Sequence, residues 1–272
     1  MQSARIGRIH YALLALMILP FHKTLSQESG GSATTDTTAA TDPVVAVRGG
    51  MVLGAYPSGT FPSVMMAETG EQTGEIPSSH LDREGGRGYS VGLAAVIPFH
   101  PQFGLAADVG INSYSLKFRA ANVDPGLPPS YPNVAHPAVR YKATVAELGV
   151  GLQWNFWLRT DPVVPSWMLA GYLKAGGVMG ISTISTSLIV TAADSTGKEA
   201  DHQGNFQNNV QLQTPLYINV AGGVRTVVFA PWLELQAEVT GRFGVNSLFG
   251  SAAPQGCSVH QVLMQIGLGY RF

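Results

Sequence analysis

The chain has 272 residues, of which 45% are hydrophobic and only 12% charged, and its formal net charge is −1. That charged share is about half of what an ordinary soluble domain carries, and the near-neutral balance excludes a broad electrostatic surface for nucleic acid. Past the N-terminal segment no apolar run approaches the roughly eighteen residues that a helical membrane span needs.

The first residues carry Arg5, Arg8 and His10, then an apolar run from Tyr11 to Pro20. A basic segment followed by a short apolar core predicts a secretory signal peptide over 1–27. Residues 28–43 are Ser, Thr, Ala, Gly and Asp with almost nothing to bury, which predicts a flexible linker. The single cysteine, Cys257, cannot form an internal disulfide.

From residue 44 onward the chain shows eight stretches of alternating apolar character: 44–56, 89–99, 103–118, 139–157, 167–190, 216–229, 232–245 and 261–272. Alternation places the two sets of side chains on opposite faces of a strand. In the third stretch Leu105, Val109 and Ile111 oppose Gly104, Asp108 and Asn112. In the fourth, Leu148, Val150, Leu152, Trp154 and Phe156 oppose Glu147, Gly149, Gly151, Gln153 and Asn155. In the seventh, Leu233, Leu235, Ala237, Val239 and Phe243 oppose Glu234, Gln236, Glu238, Thr240 and Arg242. The fifth and sixth turn Lys174 and Arg225 inward, and the weaker first turns Arg48 inward. At Arg140, Lys142 and Thr144 the fourth stretch is expected to break its alternation, through a bulge or a section above the membrane.

The intervals alternate too. Those at 100–102, 158–166 and 230–231 are short, whereas those at 57–88, 119–138, 191–215 and 246–260 are long and polar. Short turns at one end and long loops at the other are the arrangement of outer-membrane barrels, with the short turns in the periplasm. An even strand count then puts both termini in the periplasm. Phe99, Phe103, Trp154, Phe156, Trp157, Trp167, Phe229, Trp232, Tyr270 and Phe272 flank the short turns or the C-terminus, as an interfacial aromatic belt would. The predicted fold is therefore an all-β, eight-stranded antiparallel up-and-down transmembrane barrel over 44–272.

The last strand, Val262 to Phe272, alternates throughout and ends on an aromatic two residues after Tyr270. This ending resembles the C-terminal signal read by the barrel-assembly machinery of the outer membrane, with Tyr270 and Phe272 as its aromatic residues. With the leader, the eight stretches and the loop asymmetry, the chain resembles the outer-membrane β-barrel domain family, whose relatives include the membrane domain of OmpA and small barrels such as OmpX. The resemblance implies the outer membrane of a Gram-negative bacterium, outer-membrane lipid as surroundings, the assembly machinery as partner during biogenesis, and a monomer. It does not imply one activity, because this fold hosts structural, adhesive, secretion-associated and enzymatic members.

The inward positions carry Arg48, Lys174, Arg225, Arg242 and Arg271 with Asp108, Glu147, Glu234 and Glu238. Opposite charges in so narrow an interior should pair, since an isolated buried charge is costly. An eight-stranded interior is just wide enough to be filled by side chains. The expected lumen is a polar plug; a selective pore lined by the same charges is the alternative. Four histidines, His80, His136, His202 and His260, fall in or beside the long intervals, but no spacing joins them into a metal site. A lipid-modifying barrel enzyme is a further alternative, since it would use His with Ser and an acidic residue near the outer rim, but Ser258 and His260, with acidic residues of the first long interval, are common residues rather than a catalytic motif. The sequence thus predicts a non-enzymatic protein without cofactor. Its long loops would contact an envelope or extracellular partner, or the barrel would serve an export or surface-assembly system.

Overall fold

The computed structural model describes residues 42–68, 71–76, 81–100, 102–120, 138–160, 168–193, 199–206, 212–227, 230, 232–250 and 256–272. The expected signal peptide and nearly all of the expected linker lie outside these residues.

The described chain is almost wholly strand. In order, the elements are β1 (Val44–Ser58), β2 (Val64–Glu68), β3 (Glu71–Ile76), β4 (Leu81–Glu84), β5 (Gly86–His100), β6 (Phe103–Ala120), β7 (Ala138–Thr160), β8 (Met168–Ala193), β9 (Glu199–Phe206), β10 (Leu216–Val227), β11 (Leu233–Gly244) and β12 (Ser258–Arg271). Eight of them close a ring by antiparallel pairing: β1 to β5, β6, β7, β8, β10, β11, β12 and back to β1. The last strand pairs with the first from Val44↔Arg271 to Ser58↔Ser258. Closure removes both sheet edges, so every backbone group of the ring can find a partner without water.

The exterior follows the alternation. Val47, Met51, Val91, Leu105, Val150, Leu152, Ile218, Val220, Val239, Ile266 and Leu268 all point out and are exposed. Near the short-turn end the outward ring is aromatic: Phe99, Phe103, Trp154, Phe156, Trp232, Tyr270 and Phe272 are each exposed. Trp232 stacks beside Tyr270 at 5.7 Å, and Tyr270 meets Phe272 at 4.8 Å. The side chains of Trp157, Trp167 and Phe229 lie outside the described residues.

Four short strands arise where the sequence reading expects only long polar loops. β2 and β3 form a hairpin, β4 pairs with the upper end of β6, and β9 pairs with β8 and then with β2. Their local sequences carry no sustained apolar alternation. β4 and β9 are strands because the protruding ends of β6 and β8 offer a ladder to pair with, and β2 and β3 continue the sheet from β9.

The irregularity expected at Arg140, Lys142 and Thr144 is present as register shifts in the β7–β8 pairing, between Thr144 and Val145 and between Ala146 and Glu147, but the alternation of faces does not break. Val139, Tyr141, Ala143, Val145 and Glu147 all face inward and are buried, while Arg140 and Lys142 are exposed, so the alternation of β7 continues unbroken. What changes is the chemistry of the two faces. Below Glu147 the inside is polar and the outside apolar; above it the inside is apolar and the outside charged. The irregularities fall on the partner strand, where Ile181 and Ile184 of β8 are skipped in the pairing with β7. β8 itself runs without interruption to Ala193, well above the apolar band.

Candidate functional site

β11 is the spine of the lower lumen. Its inward residues Glu234, Gln236, Glu238, Thr240 and Arg242 are all buried, and they rise along the barrel in steps of two residues, about 7 Å. Three tiers of charge form on this spine.

In the lowest tier Glu234 accepts from Arg271 at 2.8 Å and lies 3.8 Å from Arg225. Gln236 also donates to Glu234 at 2.8 Å. In the middle tier two cations face two carboxylates. Arg48 lies 3.2 Å from both Asp108 and Glu238, and Lys174 lies 3.2 Å from Asp108 and 3.0 Å from Glu238. Tyr172 and Thr240 donate to the two oxygens of Glu238 at 3.0 and 2.9 Å. In the upper tier Arg242 pairs with Glu147 at 2.6 Å, and Asn112 donates to Glu147 at 3.1 Å and to Gln261 at 2.8 Å. The nine charged residues singled out from the sequence therefore sit together in one lumen, and each has an opposite charge beside it. Such pairing offsets a burial cost of several kcal/mol per ion.

Room for these long side chains comes from glycine. Gly92 lies opposite Gly110, and Gly151 opposite Gly176, on the inward faces of β5 to β8. A Cβ at any of the four would strike the neighbouring strand's backbone.

A cavity of about 40 Å³ remains between the middle and upper tiers, lined by Arg48, Asp108, Glu147, Lys174, Asn219 and Arg242 among others. That space suits a few water molecules, not a hydrated ion pathway.

Above Glu147 the lumen is sealed a second time, by an apolar core that the sequence reading missed. Tyr114, Leu116, Phe118, Val139, Tyr141, Ala143 and Val145 line it from the ring, and Phe61, Val64, Ile76, Leu248 and Phe249 enter it from the loops. Gly59 turns the chain into this core: it adopts φ of +96°, a conformation that favours glycine, immediately after β1. Phe61 then packs against Phe118 at 4.0 Å, Phe249 at 5.1 Å, Phe206 at 5.6 Å and Tyr141 at 6.3 Å. A signal for this core is present in the sequence. In β6 the apolar positions switch from odd (Leu105, Val109, Ile111) to even (Tyr114, Leu116, Phe118) as the strand leaves the apolar band.

A larger open groove of about 490 Å³ lies in this upper storey between β8 and β9, lined in part by Tyr141, Leu188, Asp201, His202, Phe206 and Leu212. It touches none of the nine lumen charges.

Cys257 is fully buried at the edge of the upper core, where its backbone N–H donates to Ser247 Oγ at 3.1 Å. Burial pushes its thiol up to about 11, against a smaller opposing pull from Arg83. A thiolate is the reactive form. At pH 8 maleimide should therefore label native Cys257 roughly a hundredfold more slowly than the urea-unfolded chain. Equal rates in both states would place the thiol at the surface.

Of the four histidines in or beside the long intervals, two have described positions. His202 is on β9, and His260 faces outward on β12 with its ring 6.2 Å from Phe243. His80 and His136 lie outside the described residues. Among the described residues no group of three His, Cys, Asp or Glu could hold a metal ion. Ser258 shares the outward side of β12 with His260. Of the acidic residues in the first long interval, only Glu84 has a described side chain, and it pairs with Arg119 at 3.3 Å.

No protein-family model matches the chain, and no curated protein matches it. Solved structures similar to it are small barrels. The Neisserial surface protein NspA is 13% identical, with 85% of this chain and 97% of that one covered and a TM-score of 0.39. OprG from Pseudomonas aeruginosa is 12% identical, with 85% and 97% covered and a TM-score of 0.40. The N-terminal barrel domain of OprF from Pseudomonas aeruginosa is 10% identical, with 84% and 97% covered and a TM-score of 0.35. Likeness at this level carries nothing about activity, and the barrel stands on its own closed ladder.

Proposed function

We propose that this chain is a plugged, non-conducting barrel of the bacterial outer membrane, of structural or surface-interaction type. The observation that carries the reading is the inversion of polarity at Glu147. Below it, a continuous apolar exterior surrounds a paired polar lumen, as hydrocarbon requires. Above it, charged and polar side chains on the outside of β5 to β8 cover an apolar core, as water requires. A soluble barrel would have no reason to change solvent part-way up its own strands.

The short turns and both ends of the barrel then lie on the periplasmic side, and Tyr270 and Phe272 form the aromatic end presented to the assembly machinery. The upper storey, stiffened by β2, β3, β4 and β9, stands outside the cell as a platform for an envelope or extracellular partner. The protein works without cofactor and as a monomer. No catalytic role is assigned to Ser258 or His260: the imidazole packs on Phe243 and its Nδ1 is buried without a hydrogen-bond partner among the described residues. Replacing His260 should leave the lipid A mass profile of the host unchanged, and an altered profile would revive a lipid-modifying reading.

Val150 lies in the middle of the apolar band and is 58% exposed. In a membrane, Val150→Arg should cost about 2–4 kcal/mol of folding stability, measured by urea titration in lipid vesicles. Gln203→Arg, on the exposed outward side of β9 above the band, should cost little. Equal, small effects at both positions would mean that the exterior faces water throughout.

A further inference from the structure

Outside the lumen, eight Lys and Arg remain after residue 43. Five of them, Arg87, Lys117, Arg119, Arg140 and Lys142, are exposed on the outward face of three adjacent strands, β5 to β7. They form a ladder. Ser115 exchanges hydrogen bonds with the backbone of Arg87, at 3.4 and 3.0 Å, and lies directly opposite Lys142. One row higher, Lys117 lies directly opposite Arg140. Like charges facing each other across a sheet are destabilising unless a counter-charge joins them. Glu84 faces Lys117 in the ladder but bonds Arg119. Among the described residues Arg87, Arg140 and Lys142 pair with no carboxylate.

The height of this row matters as much as its charge. Arg87 is the next outward residue above Tyr89, and Lys142 the next above Thr144, about 7 Å further along each strand. Tyr89 is exposed, and Ile184, skipped in the pairing between the partners of Thr144 and Val145, is 54% exposed. The apolar band therefore ends at this row, and the cations begin immediately above it. Elsewhere around the rim the outward ends of the strands carry Tyr56, Leu216, Phe243 and Val245 instead, with no cation among the described residues. The basic strip is local to one side.

We infer that Arg87, whose backbone Ser115 holds, and Lys142, with Lys117 and Arg140 above them, hold the phosphorylated headgroup of an outer-leaflet lipid. The position fits a group tethered to the hydrocarbon edge, which supplies the missing counter-charge to the guanidinium and ammonium groups. Localisation to β5–β7 makes it a site for particular lipid molecules rather than a general attraction. This inference rests on the membrane reading above.

The test uses the chain from residue 28 onward in phosphatidylcholine vesicles doped with phosphatidic acid. After extraction in mild detergent, native mass spectrometry counts the lipids retained. The wild type should keep phosphatidic acid in preference to phosphatidylcholine, and the triple variant R87Q/R140Q/K142Q should lose at least about tenfold of that retention. R83Q should retain lipid as the wild type does. A heat-shifted gel band checks that each variant is folded. Equal retention by wild type and triple variant overturns the site. Complete displacement by inorganic phosphate also overturns it, since the strip would then bind free anions. Failure of the wild type to enter the vesicles at all would instead remove the membrane reading beneath it.

Discussion

Replacing Glu238 by Ala should destabilise the barrel by about 3–5 kcal/mol, the cost of stranding buried charge. Glu238 is buried and contacts Arg48 at 3.2 Å and Lys174 at 3.0 Å. Without it both cations depend on Asp108, whose side chain is 28% exposed. Glu238→Gln keeps the shape but not the charge and should recover only part of the loss. Changing Glu238 and Lys174 together to Met removes one charge of each sign and should cost less than Glu238→Ala alone, because a buried pair is itself worth little against apolar packing. Urea titration of the refolded variants in vesicles reads all three. A Glu238→Ala midpoint equal to that of the wild type would show that the middle tier is not a paired network.

The second large effect is expected in the other storey. Phe61→Ala removes the ring at the centre of the upper aromatic cluster, and truncation of a buried Phe costs about 3–5 kcal/mol. Here the loss should be local. Phe61 ties β2 and the loop after β11 to the ring through Phe118 and Phe249, so its removal should open the cap while the lower ladder stays closed. Limited proteolysis should cut the F61A chain in its upper loops within a time that leaves the wild type intact. The heat-shifted band of the lower barrel should persist. Unchanged protease resistance would mean that the loops are held by something other than this cluster.

These two residues also mark where the sequence was legible and where it was not. Glu238 was readable because β11 alternates strictly within one environment, and a carboxylate every fourth residue on the polar face can only point at the lumen. The same logic places Arg48, Asp108, Glu147 and Lys174. Phe61 was not readable. It lies in a stretch between strands with no alternation of its own, and it is buried only because Gly59 turns the chain across the top of the barrel. β2, β3, β4 and β9 are illegible for the same reason: β4 and β9 pair with the protruding ends of β6 and β8, and β2 and β3 continue the sheet from β9. Around Arg140 and Lys142 the sequence leaves two readings open, a bulge or a section above the membrane, and the β7–β8 register does shift there while the faces keep alternating. Charged residues there continue the alternation; the solvent outside them changes instead.

Steady-state conductance of the refolded chain from residue 28 onward in a planar bilayer tests the two-storey plug most directly. A chain that shows the heat-shifted band of a folded barrel yet gives no steady current is the predicted result, since three tiers of paired charge and an apolar core both close the lumen. A steady, ion-selective current from the same folded material would contradict it, and Arg48, Asp108, Glu147, Glu238 and Arg242 would then line a pore.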